Sequence, residues 1–362
     1  MNAPRLRASA GARRGRIGHN PDEREIIVPT APYLESPLRE AFDAWLEGTV
    51  SRFVPPLTFT ELRKGAQALS TLYVERRGGG GLATRAIEGT GKRAALATYF
   101  AALHFLVAHH AVRAAEGHPA LVAARRVVDL GCGTGAVGAA VAASLPAARQ
   151  VVGVDRSGWA LEEAERTWRA FGLEGRAQRG ELPNAAPRGG RGTLYVAGWS
   201  ASELDEAARG ALLRRLVGAA RRGAAIFVVE PLAKGVAPWW PEWEQAFAPL
   251  GVRTLLVRVS IDRPHFIREM DKAAHLDHQV IGARVLAGGR VPAADRVADD
   301  DRVADDDGPV SDDGRVSDDG RTVSDDDRTV SDDDRVSDDD RPVSDDDRSV
   351  SDDGRVSDDD RA

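Results

Sequence analysis

The sequence predicts an α/β chain whose core is an open, doubly wound, mostly parallel sheet of seven strands. A helical extension precedes this core and a disordered acidic tail follows it. Three observations carry the prediction. Val127 to Gly135 reads Val-Val-Asp-Leu-Gly-Cys-Gly-Thr-Gly and runs into the small-residue stretch Ala136 to Ser144, the pattern of a buried strand, a tight turn and a helix. From there to about residue 287, β-branched runs alternate with helical ones, which implies parallel strands joined by crossover helices. After residue 290 the composition changes abruptly to an Asp-rich repeat.

Residues 1–30 are read as a disordered basic arm. The first twenty residues carry Arg5, Arg7, Arg13, Arg14 and Arg16, with no acidic residue and no apolar run of the kind a secretory signal needs. Residues 31–120 form the helical extension. One helix is capped by Ser36 and runs through Leu46, a second opens at Thr58 or Thr60 and runs through Tyr73, and a third, strongly apolar, covers Gly91 to Ala115. Arg76 to Gly81 is expected to be a flexible loop. Glu88 to Arg93 superficially suggests a phosphate loop, but no strand precedes it and Arg93 replaces the required Ser or Thr. It reads as a helix start with Lys92 and Arg93 in solvent.

Within residues 121–290 the remaining strands are placed at Gln150–Asp155, Arg176–Glu181, Thr193–Ala197, Ala224–Glu230, Val252–Val259 and Gln279–Ala287. Helices are placed at Gly158–Phe171, about Glu203–Arg222 and Pro241–Phe247. Ligands of such sheets bind at the carboxyl ends of the strands. That rule selects the turn Asp129, Gly131, Cys132, Gly133 and Gly135, with Asp155 and Glu181 at the ends of the next two strands, as a site for a nucleoside-bearing ligand. Asp155 lies 26 residues after Asp129, where a carboxylate can accept from both hydroxyls of a ribose.

The spacing of the turn resembles the first motif of class I S-adenosylmethionine-dependent methyltransferases, D-x-G-x-G-x-G, and matches it at every defined position. The resemblance implies a Rossmann-like fold, S-adenosylmethionine as cofactor, and methyl transfer to an acceptor. It also implies an acidic residue near the adenine amino group, the place Glu181 takes. A nicotinamide-dependent oxidoreductase is disfavoured by the glycine spacing. A narrower resemblance links Leu194 to Leu204, Leu212 to Leu216, Ile226 to Pro231 and, upstream, Leu62 to Tyr73 to the methyltransferase-like proteins of the small mitochondrial ribosomal subunit and their bacterial relatives. The cysteine-rich metal-binding segment of that family is missing, because Cys132 is the only cysteine.

Just past the fourth strand, Trp199 and Ser200 lie where the resemblance implies that the methyl group points and are read as acceptor contacts; Trp199 either stacks on a base or an aromatic acceptor or caps the hydrophobic pocket. No catalytic base is identifiable: the Asn-Pro-Pro-Tyr type signature is absent. Tyr99, Phe100 and His104 on the apolar helix either line the site or are core. The run Asp262 to His278 contains His265, His275 and His278, matches no metal spacing, and reads as a solvated helix, so no metal is expected. Trp239, Trp240 and Trp243 either wall an acceptor pocket or pin a loop to the core.

Charge is unevenly distributed. Residues 291–362 hold 28 Asp and 10 Arg, net −18, against −7 for the whole chain, which leaves +11 on residues 1–290. A core this basic favours an anionic acceptor such as RNA, ribosomal RNA included, with a small-molecule acceptor as the alternative. A non-catalytic ribosome-associated scaffold that keeps the cofactor fold is the remaining reading. The tail lacks aromatic residues and cannot bury enough surface to fold. It either improves solubility or interacts with the basic core. With no secretory signal and no run of eighteen apolar residues, no membrane association and a cytoplasmic location are expected.

Overall fold

The computed structural model describes residues 24–75, 88–115 and 117–290. The basic arm up to residue 23, the glycine loop 76–81 and the repeat tail lie outside the described residues. In chain order the elements are β1 (Arg24–Pro32), α1 (Leu38–Phe53), α2 (Phe59–Glu75), α3 (Thr90–Ala115, with a π turn over Leu96–Phe100), the one-turn α4 (Pro119–Val122), β2 (Arg126–Leu130) and α5 (Ala136–Ser144). They continue as β3 (Gln150–Asp155), α6 (Gly158–Ala170), β4 (Glu174–Arg179), β5 (Thr193–Gly198), α7 (Glu206–Arg221), β6 (Ala225–Glu230), α8 (Trp240–Phe247), β7 (Val252–Asp262), α9 (His265–Ala274) and β8 (Val280–Gly288).

The strands form one sheet in the order β1-β7-β8-β6-β5-β2-β3-β4. Every pairing is parallel except those of β8, which runs antiparallel to β6 and β7. This is the Rossmann-like, doubly wound architecture that the alternation of strands and helices implies. All seven expected strands are present. The sheet has an eighth, β1, in a segment that composition reads as part of a disordered arm. Arg24 pairs with Leu255 and Val28 with Val259, so the chain enters the sheet seven residues before the expected boundary. Two prolines, Pro29 and Pro32, hide this strand in the sequence. An edge strand tolerates them because one of its sides has no ladder to supply.

Both faces of the sheet are covered. On one, α3 lies along α5, and the aromatic rings of Phe42 and Trp45 (α1), Phe105 (α3) and Phe171 interlock, with Phe105 stacked on Phe171 at 4.7 Å. The Arg52 guanidinium donates to both carboxylate oxygens of buried Glu163, at 2.8 and 2.5 Å, and Trp45 Nε1 donates to Thr167 Oγ1 at 3.3 Å. The helical extension is therefore fastened to α6 by burial and by charge. On the opposite face Leu212, Leu216, Trp240, Trp243 and Phe247 pack against Val128, Tyr195 and Ile226. Trp240 and Trp243 are fully buried, so the tryptophan cluster belongs to the core and walls no pocket.

Local capping follows the sequence closely at α2, where Thr58 and Glu61 exchange hydrogen bonds in a capping box. At α1 it does not. That helix starts after Pro37 without a side-chain cap and runs on to Phe53, because its apolar face continues through Trp45 and Leu46 into the core. Among the described residues α3 is the one helix long and apolar enough to cross a membrane by length and composition, and 72% of that window is buried inside the fold.

Candidate functional site

The parallel order places the carboxyl ends of β2, β3, β5, β6 and β7 on one edge, and the predicted residues collect there. β2 ends at Leu130, and the chain turns through Gly131, Gly133 and Gly135, all at positive φ, before α5 begins. Gly135, at φ 76°, is obligatory on two counts. A left-handed backbone disfavours a side chain, and a Cβ there would lie 2.8 Å from the backbone of Ala164. Trp168 Nε1 donates to the Gly135 carbonyl at 3.0 Å, so α6 holds the turn from below.

Asp129 and Asp155 do different work. The Asp129 carboxylate is buried and its Oδ2 accepts from Gly138 N at 2.9 Å, which ties β2 to the first turn of α5. Its Oδ1 has no hydrogen-bond partner. Burial raises its pKa to about 7, against the opposing pull of the Gly138 amide. Asp129 thus sits beneath the turn and shapes it. Asp155 is half-exposed at the lip. Its Oδ2 accepts from Gly133 N and its Oδ1 from Ser157 N, both at 2.9 Å. Each oxygen retains a second lone pair for an incoming hydroxyl.

Cys132 is buried against Gly153, and burial raises its thiol pKa well above the ordinary value, so it is a packing residue of the turn. Glu181 is exposed and lies two residues beyond the end of β4, which stops at Arg179 instead of reaching Glu181. Gly180 N still donates to the Asp155 carbonyl at 3.0 Å, so Glu181 remains beside the same lip.

The two acceptor-side predictions separate. Trp199 follows β5 in a left-handed conformation, φ 56°, rare for a bulky side chain, and its amide donates to Val229 O at 2.8 Å. Its ring stacks on His104 of α3 at 4.2 Å and 17°. Ser200 turns inward. It is buried, and its hydroxyl donates to Leu130 O at 2.7 Å, where it braces the β2 turn from the neighbouring strand. Burial lowers the His104 pKa to about 4, and the charge of His278 adds to the effect, so His104 is a neutral ring at physiological pH.

Sequence reading missed several further features. Glu230 at the end of β6 is fully buried and accepts from Ser202 N and Ser202 Oγ at 3.1 and 2.9 Å; burial raises its pKa to about 8. Glu203 nearby is raised to about 7, by burial and by Asp155. The run Asp262 to His278, expected to be solvated, instead buries Ile267, Met270, Asp271 and Ala274 and carries a polar network described below. Arg93, expected in solvent, lies over the Trp159 ring at 5.5 Å. No cluster of metal-ligating side chains occurs among the described residues.

The turn leaves room for a ligand to press against bare backbone. A Cβ added at Gly133 would meet nothing within 4 Å, so a ligand can lie against bare backbone there. The Asp155 carboxylate stands at the lip, and an unpaired carboxylate oxygen lies under the turn.

In comparisons with known proteins, residues 113–189 match the family model of the methyltransferase small domain, a span that runs from the end of α3 past β4. No curated protein matches the chain in sequence. Among solved structures, mitomycin 7-O-methyltransferase is 16% identical over 62% of this chain and 67% of its own, with a TM-score of 0.38. An O-methyltransferase family protein from Burkholderia thailandensis is 14% identical over 57% and 63%, TM-score 0.38. A candidate RNA methyltransferase from Pyrococcus horikoshii is 14% identical over 64% and 100%, TM-score 0.36.

Proposed function

We infer, from the match of residues 113–189 to the methyltransferase small domain and from the D-x-G-x-G-x-G turn, that the chain transfers a methyl group from S-adenosylmethionine to an acceptor bound beside Trp199. The observation that carries this reading is the glycine turn between β2 and α5, open over Gly133, with the Asp155 carboxylate at the end of the adjacent strand. When bound, the cofactor supplies an electrophilic methyl group on a sulfonium. The chain's own part is to hold and align. Gly133 offers a surface without side chains, Asp155 accepts from ribose hydroxyls, and Trp199, stacked on His104, gives the acceptor side a rigid aromatic wall. In-line displacement requires alignment above all, so no covalent residue is needed.

For the acceptor, the net +11 on residues 1–290 supports RNA. Nucleic acid that co-elutes with the purified chain at low salt and is lost at high salt supports that assignment; a chain free of nucleic acid at low salt turns it towards a small molecule.

Calorimetric titration of the full chain with S-adenosylmethionine, and in parallel with NADH, tests the core of the reading. Binding of the sulfonium alone is expected. Asp155→Ala removes a charged acceptor for two hydroxyls, each hydrogen bond worth about 1.5–3 kcal/mol, and should weaken binding by at least tenfold. Binding of NADH, or of neither ligand, would overturn it.

A further inference from the structure

The polar network between α3, α9 and the start of β8 is assembled from residues far apart in sequence. Asp271 of α9 is buried, with a side-chain exposure of 3%. Four donors converge on it. Tyr99 Oη and His278 Nδ1 approach Oδ1, the latter at 2.8 Å, while Arg263 Nη1 and the His278 amide approach Oδ2 at 2.6 and 3.3 Å. Burial pushes the Asp271 carboxyl up, and the hydrogen bonds from His278, Tyr99 and Arg263 more than offset it, leaving it below the ordinary carboxylate range. Burial and Asp271 raise Tyr99, which therefore keeps its proton and donates.

An ionised carboxylate offers lone pairs only. His278 Nδ1 lies 2.8 Å from the Asp271 carboxylate and 3.1 Å from the Tyr99 hydroxyl, which itself donates to Asp271; the hydrogen is therefore assigned to Nδ1, and in a neutral ring this puts the lone pair at Nε2. No hydrogen bond involving Nε2 occurs among the described residues, and the side chain is 30% exposed. A buried acid that fixes an imidazole by Nδ1 and leaves Nε2 basic is an arrangement for proton removal. Its position suits that task. His278 precedes β8 at the edge where β7 ends, since Ile261 N donates to Gln279 O at 3.0 Å. Its ring meets Tyr99 edge-on at 5.7 Å, Tyr99 meets Phe100 at 5.1 Å, and Phe100 leads to His104, which lies on Trp199.

We propose that His278 is the general base for an acceptor hydroxyl carried on or beside a planar ring, and that Asp271 is the residue that positions it. This rests on the methyl-transfer reading above. The acceptor O–H proton passes to His278 Nε2 as the oxygen forms its bond to the methyl carbon. The carbon–sulfur bond breaks with its electron pair kept by sulfur, and the imidazolium, held by Asp271, then releases the proton to water. Asp271 and Tyr99 contact the imidazole, Arg263 pairs with Asp271 and, at 3.6 Å, with Asp277, and His104 is close enough to feel the charge of His278. Two sources of such a hydroxyl, a nucleoside of RNA and a free aromatic alcohol, share this chemistry.

Nitrogen-15 NMR of the histidine side chains in the full chain tests the proposal without knowledge of the acceptor. The neutral His278 ring is expected as the Nδ1–H tautomer. Asp271→Asn, with folding checked by its thermal midpoint, is expected to mix the two tautomers, a change that a merely structural histidine on the surface would not show. With S-adenosylmethionine present, uridine or phenol at millimolar concentration is expected to shift the His278 resonances. A response to uridine alone points to RNA, and a response to phenol alone to a free alcohol. The Nε2–H tautomer, or no response to either probe while S-adenosylmethionine binds by calorimetry, would overturn the assignment of His278. Absence of cofactor binding would instead bring down the methyl-transfer reading.

Discussion

Glu230→Gln offers a sharp test of the electrostatics at the strand ends. Glu230 has no cation among its hydrogen-bond partners; its carboxyl accepts only from Ser202, and its pKa rises from 4.5 to about 8. Between those values the folded chain holds a proton that the unfolded chain has lost, so stability must fall as pH rises through the window, by up to about 1.4 kcal/mol per pH unit. The full ionisation penalty is on the order of 4–5 kcal/mol above pH 8. Glutamine keeps the shape and an acceptor for Ser202 N but has no proton to lose. For a folded region of this size about 2–4 °C of thermal midpoint corresponds to 1 kcal/mol, so the variant should gain on the order of 10 °C over the wild type between pH 5 and pH 8. Circular dichroism melts at half-unit pH steps supply the measurement. Parallel curves for the two proteins, or a wild type that gains stability over the window, would refute the reasoning. Asp129, raised to about 7, and Glu203 act in the same direction, so the variant flattens the slope without abolishing it.

Other expectations are as direct. At the acid end the part-buried imidazoles of His104 and His109, lowered to about 4 and about 3 chiefly by desolvation, contribute stability that is present above pH 6.5 and lost as pH falls towards those values. His109→Gln should therefore reduce acid sensitivity, read as the melt at pH 4 relative to pH 7. Trp168→Phe removes the indole donor to Gly135 O and should cost about 1–2 kcal/mol by urea unfolding, with weaker cofactor binding because the turn loses its support. Gly138→Ala would place a Cβ 2.5 Å from Asp129 Oδ2, so it should both destabilise the fold and abolish S-adenosylmethionine binding, whereas Gly48→Ala, which meets nothing within 4 Å, should do neither.

The sequence made the cofactor side legible because its determinants are local. The turn from Val127 to Ser144 lies within one strand, one loop and one helix, and Asp155 follows at the end of the next strand. The polar network around Asp271 was opaque because its members are distant in sequence. Asp271 reads as an exposed acid until Tyr99, 172 residues away, is brought against it. His278 is one of several histidines in a polar run until β8 sets it on the strand-end edge. Ser200 has its hydroxyl on Leu130 O, and nothing in the residue type announces that. β1 was lost to its prolines.

The last of these has a practical side. A fragment started at residue 31, where composition suggests the folded part begins, would sever β1 near its end and bare the adjoining edge of β7, an eleven-residue strand rich in Val and Leu. At the other margin β4 guards itself with Glu174, Arg176 and Arg179, charges that discourage a neighbouring chain from adding a strand. β7 carries Arg253, Arg258 and Asp262, but spread over eleven residues, with the apolar run Leu255 to Val257 between the two arginines. A truncated protein of this kind should be prone to edge-to-edge aggregation, and expression of this chain is best begun upstream of Arg24.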